Sequence, residues 1–260
     1  MSSDRTIEHE IEVPGTPEQV WQAIATGQGI TGWFVPTRVE ERAGGAFELD
    51  FGPGMGTSVG EVTVWEPPTR FVHLGNGAAG NPLAYEWHVE ARSGDTCLVR
   101  LVTSGFLSEA DWQTEYDATA DGWKLFLSNL RLYLVHFAGQ RCASMLMQRL
   151  SELTPDDTWH QITGSLGLPE APLVGQQVSA SNGPPLSGRV ERLQSRLMTV
   201  LLDAPAPGIG VVGSESFGGK GFPMVYLYLF GPGAEDAIHH QQPAWQDWID
   251  RTFDPATSTG

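Results

Sequence analysis

Eight residues, Trp112, Tyr116, Ala120, Trp123, Leu127, Leu130, Leu134 and Phe137, follow one another at spacings of 4, 4, 3, 4, 3, 4 and 3. That spacing keeps all eight on one face of a single α-helix. At 1.5 Å per residue such a helix is roughly 40 Å long. A stripe of this length, and so aromatic, needs a broad apolar surface to cover it. A bend near Asp121-Gly122 is compatible with the pattern.

The preceding residues supply that surface as strands. Residues 6–13 alternate, with Ile7, His9, Ile11 and Val13 on one face and Glu8, Glu10 and Glu12 on the other. Period 2 predicts a half-buried strand. A helix start follows: Thr16 suits the N-cap, Pro17 the first helical position, and Gln19 completes a capping box. Val20, Trp21 and Ile24 give this short helix an apolar face, and Gly27 and Gly29 end it. Trp33 and Phe34 lie just beyond. Then Phe47, Leu49 and Phe51 alternate with Glu48 and Asp50. Residues 61–65 and 70–74 flank a Glu66-Pro67-Pro68-Thr69 turn. Tyr85, Trp87, Val89 and Ala91 alternate with Glu86, His88, Glu90 and Arg92, and residues 96–103 return after Ser93-Gly94-Asp95. Short turns between such runs predict an antiparallel sheet with one covered face. The glycine-rich stretch 52–60 is expected to be a flexible loop. It lacks the Gly-Lys-Ser/Thr ending and the following helix of a phosphate loop.

The second half repeats the order. Residues 154–162 read Thr-Pro-Asp-Asp-Thr-Trp-His-Gln-Ile, against Thr-Pro-Glu-Gln-Val-Trp-Gln-Ala-Ile at 16–24. Cap chemistry accounts for Thr and Pro but not for the shared Trp and Ile. Strand-like runs follow at 176–180, 188–193, 197–202, 210–214 and 223–230. In the last, Val225, Leu227 and Leu229 alternate with Tyr226, Tyr228 and Phe230, so both faces are apolar. Such a strand is expected to be covered on both sides, by the other half or by a second chain. A final helix at about 242–253, carrying Trp245, Trp248, Ile249 and Phe253, is expected to be far shorter than the first long helix. The boundary falls near Ala138-Gly139, which predicts domains at 1–138 and 139–260.

Residues 6–137 resemble the START-like, helix-grip (SRPBCC) superfamily. Within it they are most similar to the group related to the C-terminal domain of the activator of the heat-shock chaperone ATPase. The opening strand with Thr16-Pro17-Glu18-Gln19-Val20-Trp21 carries the resemblance, followed by Gly29-Ile30-Thr31-Gly32-Trp33-Phe34. Gly44-Gly45-Ala46-Phe47, Tyr85-Glu86-Trp87, and Ser104-Gly105-Phe106 ahead of the long helix complete it. The resemblance implies an α+β helix-grip fold, a curved antiparallel sheet wrapped around a long C-terminal helix with an apolar cavity between them. Residues 141–253 resemble it more weakly, as a second, shorter and divergent copy. The superfamily includes ligand binders, aromatase-cyclases and chaperone cofactors, so the fold alone leaves function open.

Composition narrows the function. Fifteen Lys and Arg against 31 Asp and Glu give a net charge of −16, which argues against nucleic acid or an anionic membrane surface as partner. The acidic surplus is simplest as a solvated surface. Two cysteines, Cys97 and Cys142, offer neither a disulfide framework nor a thiolate metal site. No apolar run is long enough for a membrane-spanning helix, and Met1-Ser2-Ser3-Asp4-Arg5 lacks a signal core, so a cytoplasmic protein is expected. His239-His240 has no completing ligands at metal-site spacing, and neither metal nor cofactor is expected.

The candidate ligand-binding residues are Phe47, Phe51, His73, Tyr85, Trp87, Leu101 and Thr103 from the sheet, with Trp112, Tyr116, Trp123 and Leu127 from the long helix. Aromatic walls with a few polar groups suit a small apolar or amphipathic ligand. The same residues would equally fill a solid core. His73 shares a face with Phe71, so it is either an inward anchor or base or a satisfied core residue. His88, between Glu86 and Glu90, is read as solvated. No nucleophile-base-acid set is legible. Two functions stay open: a non-catalytic binder or chaperone-type partner module, and a cyclase or dehydratase acting in the same cavity.

Overall fold

A computed structural model describes residues 5–52, 55–76, 81–106 and 113–253. The chain divides into two compact units, Met1–Phe51 with Thr57–Arg141, and Gly52–Gly56 with Cys142–Gly260.

The first unit opens with β1 (Arg5–Pro14), α1 (Pro17–Ala25) and α2 (Gly27–Thr31). Strands β2 (Thr37–Val39), β3 (Gly45–Asp50), β4 (Thr57–Glu66), β5 (Arg70–Asn76), β6 (Pro82–Ala91) and β7 (Thr96–Phe106) follow, then α3 (Gln113–His136). The seven strands form one antiparallel sheet in the order β1-β7-β6-β5-β4-β3-β2. β2 to β7 meander by neighbouring turns, and β1 closes the far edge against β7. The expected capping box is present: the Thr16 hydroxyl accepts the Gln19 N–H at 3.4 Å, and Gln19 Oε1 accepts the Thr16 N–H at 2.9 Å. Strand β4 begins at Thr57, so residues 57–60, expected in a flexible loop, are paired with β3 instead. The glycine there reflects a close backbone approach rather than a turn.

On α3 the described part of the expected stripe, Trp123, Leu127, Leu130 and Leu134, is buried, as is Phe137 just past its end, with Ala120 half-buried. A second row is also buried, Leu125, Asn129 and Tyr133. Asn129 Nδ2 donates to the Trp33 carbonyl at 3.5 Å, and the Tyr133 ring packs where a side chain on Gly32 would stand. The turn after α2 therefore locks onto the helix. α1 and α2 meet as closely: a Cβ on Gly29 would lie 1.9 Å from the Gln22 carbonyl oxygen. Gly29→Ala must separate the two helices and is expected to cost about 2–3 kcal/mol, read as a lower urea midpoint at unchanged slope.

The second unit comprises β8 (Cys142–Gln148), α4 (Pro155–Leu166), β9 (Gln177–Ser179), β10 (Ser187–Gln194), β11 (Leu197–Ala204), β12 (Gly208–Phe217), β13 (Lys220–Phe230) and α5 (Ala234–Phe253). Its sheet runs β8-β13-β12-β11-β10-β9, all antiparallel. The winding is that of the first sheet with one strand fewer: the first strand pairs with the last, a capped helix follows the first strand, and a helix closes the unit. In α4, Thr154 Oγ1 accepts the Asp157 N–H at 3.2 Å, and Gly167 ends the helix in the left-handed conformation. Ile24 and Ile162 are both buried. The repeated tryptophans differ. Trp21 is buried edge-on against Trp65 and Phe71 of the sheet. Trp159 is half-buried and donates its indole N–H to the Glu170 carbonyl at 3.0 Å, so it clamps a loop instead.

α5 corrects an expectation. It spans 20 residues, against 24 in α3, and is not a short element. Six of the eight residues 235–242 are polar, and Pro243 reads as a helix start, so the stripe was legible only beyond it. Ala234, Ile238, Trp245, Trp248, Ile249 and Phe253 are buried. They pack with Met145, Met198, Val200, Val225, Leu227 and Ile162 into the core of this unit. On β13, Tyr226, Tyr228 and Phe230 on the opposite face are buried too, as the two-sided apolar pattern predicts. Among the described residues no helix is long and apolar enough to cross a membrane.

Candidate functional site

Alternate residues of the first sheet turn one face toward α3. Strand pairing aligns them in rows. One row runs Val62, His73, Tyr85, Thr103 and Ile7 across β4, β5, β6, β7 and β1; the next runs Phe71, Trp87, Leu101 and His9. Trp123 of α3 meets this face, its ring centroid 5.5 Å from Trp87 and 5.9 Å from Tyr85. No Lys, Arg, Asp or Glu occurs in either row.

His73 lies on this face and is 4% exposed. Its imidazole stacks on Phe47 at 3.8 Å and on Tyr85 at 4.9 Å, with Phe71 at 5.4 Å. Phe47 lies on β3, two strands away, and it reaches His73 because its partner on β4 is Gly60. A Cβ there would fall 1.8 Å from the Leu74 carbonyl oxygen, so β4 and β5 approach too closely for any other residue. Burial drives the His73 pKa down to about 3, offset only in small part by the nearby Leu74 backbone, so the ring is neutral at physiological pH. Its Nδ1 is buried without a hydrogen-bond partner, and so is Oγ1 of Thr103, two strands along the same row.

A second aromatic group continues the first. Phe34 lies 5.1 Å from Trp123, 4.5 Å from Phe126 and 6.0 Å from Phe51. Trp33 lies 5.9 Å from Trp87 and donates its indole N–H to the Ala23 carbonyl at 2.9 Å. Of the residues the sequence nominates, Phe47, His73, Tyr85, Trp87, Leu101, Thr103 and Trp123 therefore come together. Phe51 joins them through Phe34, and Leu127 is buried one helical turn beyond Trp123. Trp112 lies outside the described residues. Tyr116 is in α3, with its side chain outside the description. Trp33, Phe34, Phe71 and Phe126 complete the group beyond the residues nominated from the sequence. Phe71 had a signal, since it shares a strand face with His73. Trp33 and Phe34 sit in a turn, where no periodicity marks an inward direction, and Phe126 falls off the counted stripe.

The opposite face of this sheet is charged. An open depression of about 510 Å³ there is lined by residues that include Glu10, Glu66, Arg70, His88, Glu90 and Arg100. Several of its charged groups are already paired. Arg70 and His88 hold Glu86 at 2.8 and 2.9 Å, and Arg100 lies 3.4 Å from Glu8. His88 is half-buried there, on the outer side as read. Among the described residues no three His, Cys, Asp or Glu side chains are grouped to hold a metal ion.

The family described as activator of Hsp90 ATPase homolog 1-like protein matches residues 14–135. No curated protein matches the chain. Among solved structures, protein MLL2253 from Mesorhizobium loti is 21% identical with a TM-score of 0.46, covering 51% of this chain and 98% of its own. The Aha1 dimer from Colwellia psychrerythraea is 20% identical with a TM-score of 0.43, over 50% of this chain and 96% of its own. The di-domain ARO/CYC BexL from the BE-7585A biosynthetic pathway is 14% identical with a TM-score of 0.46, over 96% of this chain and 99% of its own. The family model thus matches α1, the meandering sheet and nearly all of α3, and the likeness to that family is confined to the first unit.

Proposed function

We propose that the first unit is a non-catalytic binding module for a small, uncharged apolar or aromatic molecule, held between the sheet and α3. One observation carries the reading: the helix-facing rows join aromatic side chains to buried polar atoms that have no protein partner, with no charged residue among them. Aromatic walls with a few polar points are the usual make-up of small-molecule sites. A buried donor or acceptor left unmatched costs about 1–3 kcal/mol, which a ligand would recover. The neutral histidine has no adjacent nucleophile or carboxylate in these rows, so binding is favoured over a cyclase or dehydratase role. A protein-partner role is the second reading, favoured by the family match alone. We further infer that the second unit is a diverged copy of the first, on the shared winding and the repeated Thr-Pro-capped helix.

The test is a titration with the uncharged probe N-phenyl-1-naphthylamine, read by its own fluorescence and by quenching of tryptophan. A saturable one-site curve is expected, weakened about tenfold or more in Trp123→Ala, with far-UV circular dichroism unchanged. A non-saturating response, or one indifferent to Trp123, would remove the ligand reading and leave the partner reading.

A further inference from the structure

The His73 imidazole is enclosed in an unusual way. Phe47 covers one ring face and Tyr85 the other, nearly parallel at 21° and 12°. Only the ring edge is left to make polar contacts, and on that edge Nδ1 has no partner. A histidine serving only as core filler would normally have both nitrogens matched or would be replaced by Phe, because an orphaned buried polar atom is costly. The flanking rings fix the plane of the imidazole, so its edge points in a defined direction. Gly60 is the device that brings Phe47 into place, and its β4 backbone tolerates no larger residue.

Resting on the ligand-binding reading above, we propose that His73 is the hydrogen-bonding anchor of the site and that the ligand is a planar aromatic molecule bearing a hydroxyl. A hydroxyl both donates and accepts, so it satisfies Nδ1 in either tautomer of the neutral ring. A carboxylate or ammonium does not fit: no opposite charge stands in either row to compensate it. The Thr103 hydroxyl, along the same row, is a second unmatched group for a ligand that carries a further oxygen.

The experiment compares 2-naphthol with naphthalene, which share one ring system and differ by the hydroxyl. Calorimetry or tryptophan quenching on the full chain should show 2-naphthol binding about tenfold more tightly. 2-Naphthoate should bind more weakly than either. In His73→Phe the ratio of naphthol to naphthalene affinity should fall to about one, whatever happens to naphthalene affinity itself; His73→Gln should keep part of the advantage. With ¹⁵N-histidine labelling, one imidazole resonance should move with 2-naphthol and not with naphthalene. Equal affinities in the unmodified protein, or a naphthol advantage that survives His73→Phe, would overturn the anchor while leaving the binding module intact. If neither compound binds while N-phenyl-1-naphthylamine does, the anchor falls and the binding module stands; if none of the three binds, both readings fall. The wild-type comparison decides even if a variant fails to fold.

Discussion

Trp33→Ala is expected to destabilise the first unit by about 5 kcal/mol, at the upper end for a buried tryptophan. The side chain is 1% exposed and fills the angle between the turn after α2 and Trp87 of the sheet. Truncation loses that burial and leaves a cavity that rigid neighbours cannot close. It also orphans the Ala23 carbonyl, which accepts the indole N–H at 2.9 Å. Since whole domains are stable by about 5–15 kcal/mol, the variant should sit near the edge of folding. Trp33→Phe separates the two contributions. It keeps most of the ring packing against Phe34 and Trp87 and loses the hydrogen bond, so about 1–3 kcal/mol is expected. The repeated tryptophans give an internal comparison. Trp21→Ala should cost about 3–5 kcal/mol, and Trp159→Ala clearly less, because Trp159 is only half-buried. Urea unfolding followed by circular dichroism measures all four. Equal losses at Trp21 and Trp159 would show that the second tryptophan does the same packing work as the first.

That contrast also shows what a sequence can and cannot announce. Thr16 and Thr154 declared two helix starts because capping is a local interaction within four residues. The strands declared themselves by alternation, and α3 by a stripe that holds for six turns. Their order was enough to identify the first fold. What Trp159 touches depends on where the loop carrying Glu170 passes, and no nearby residue encodes that. α5 was cut short because its first half is polar on most sides and contains Pro243, and its Ala234 and Ile238 are too few to show a period. At the site, strand alternation told which residues share a face: Phe71 and His73 with Tyr85 and Trp87. It did not tell that Phe47 would cross β4 to reach His73, since that depends on the absence of a side chain at Gly60. Nor could it mark Phe34, which enters from a turn and meets Phe51, Trp123 and Phe126 only once the helix and sheet are in place.

Acidification should destabilise the first unit before its carboxylates titrate, with His73 as the cause. In the unfolded chain its imidazole has the ordinary value of 6.5; in the fold, burial lowers it to about 3. Above pH 6.5 both states are neutral and the group contributes nothing to pH dependence. Between 6.5 and about 3 the unfolded state takes up a proton that the folded state refuses, so stability falls as pH falls, by about 1.4 kcal/mol per unit. From pH 7 to pH 5 the loss from this residue alone is about 2 kcal/mol. Its stacking partners Phe47 and Tyr85 and the adjacent Phe71 supply no carboxylate to stabilise a charged ring. His73→Phe should remove this part of the slope. The difference in unfolding free energy between variant and wild type should therefore grow by about 2 kcal/mol in the variant's favour between pH 7 and pH 5. At pH 7 the variant should already be no less stable, because phenylalanine fits the same stack without an unmatched nitrogen. An unchanged difference between the two pH values would mean that the folded state accepts the proton, and that the imidazole edge reaches water. A growing difference would mean that the chain keeps a group there that weakens its own fold, which is what a site maintained for a ligand would show.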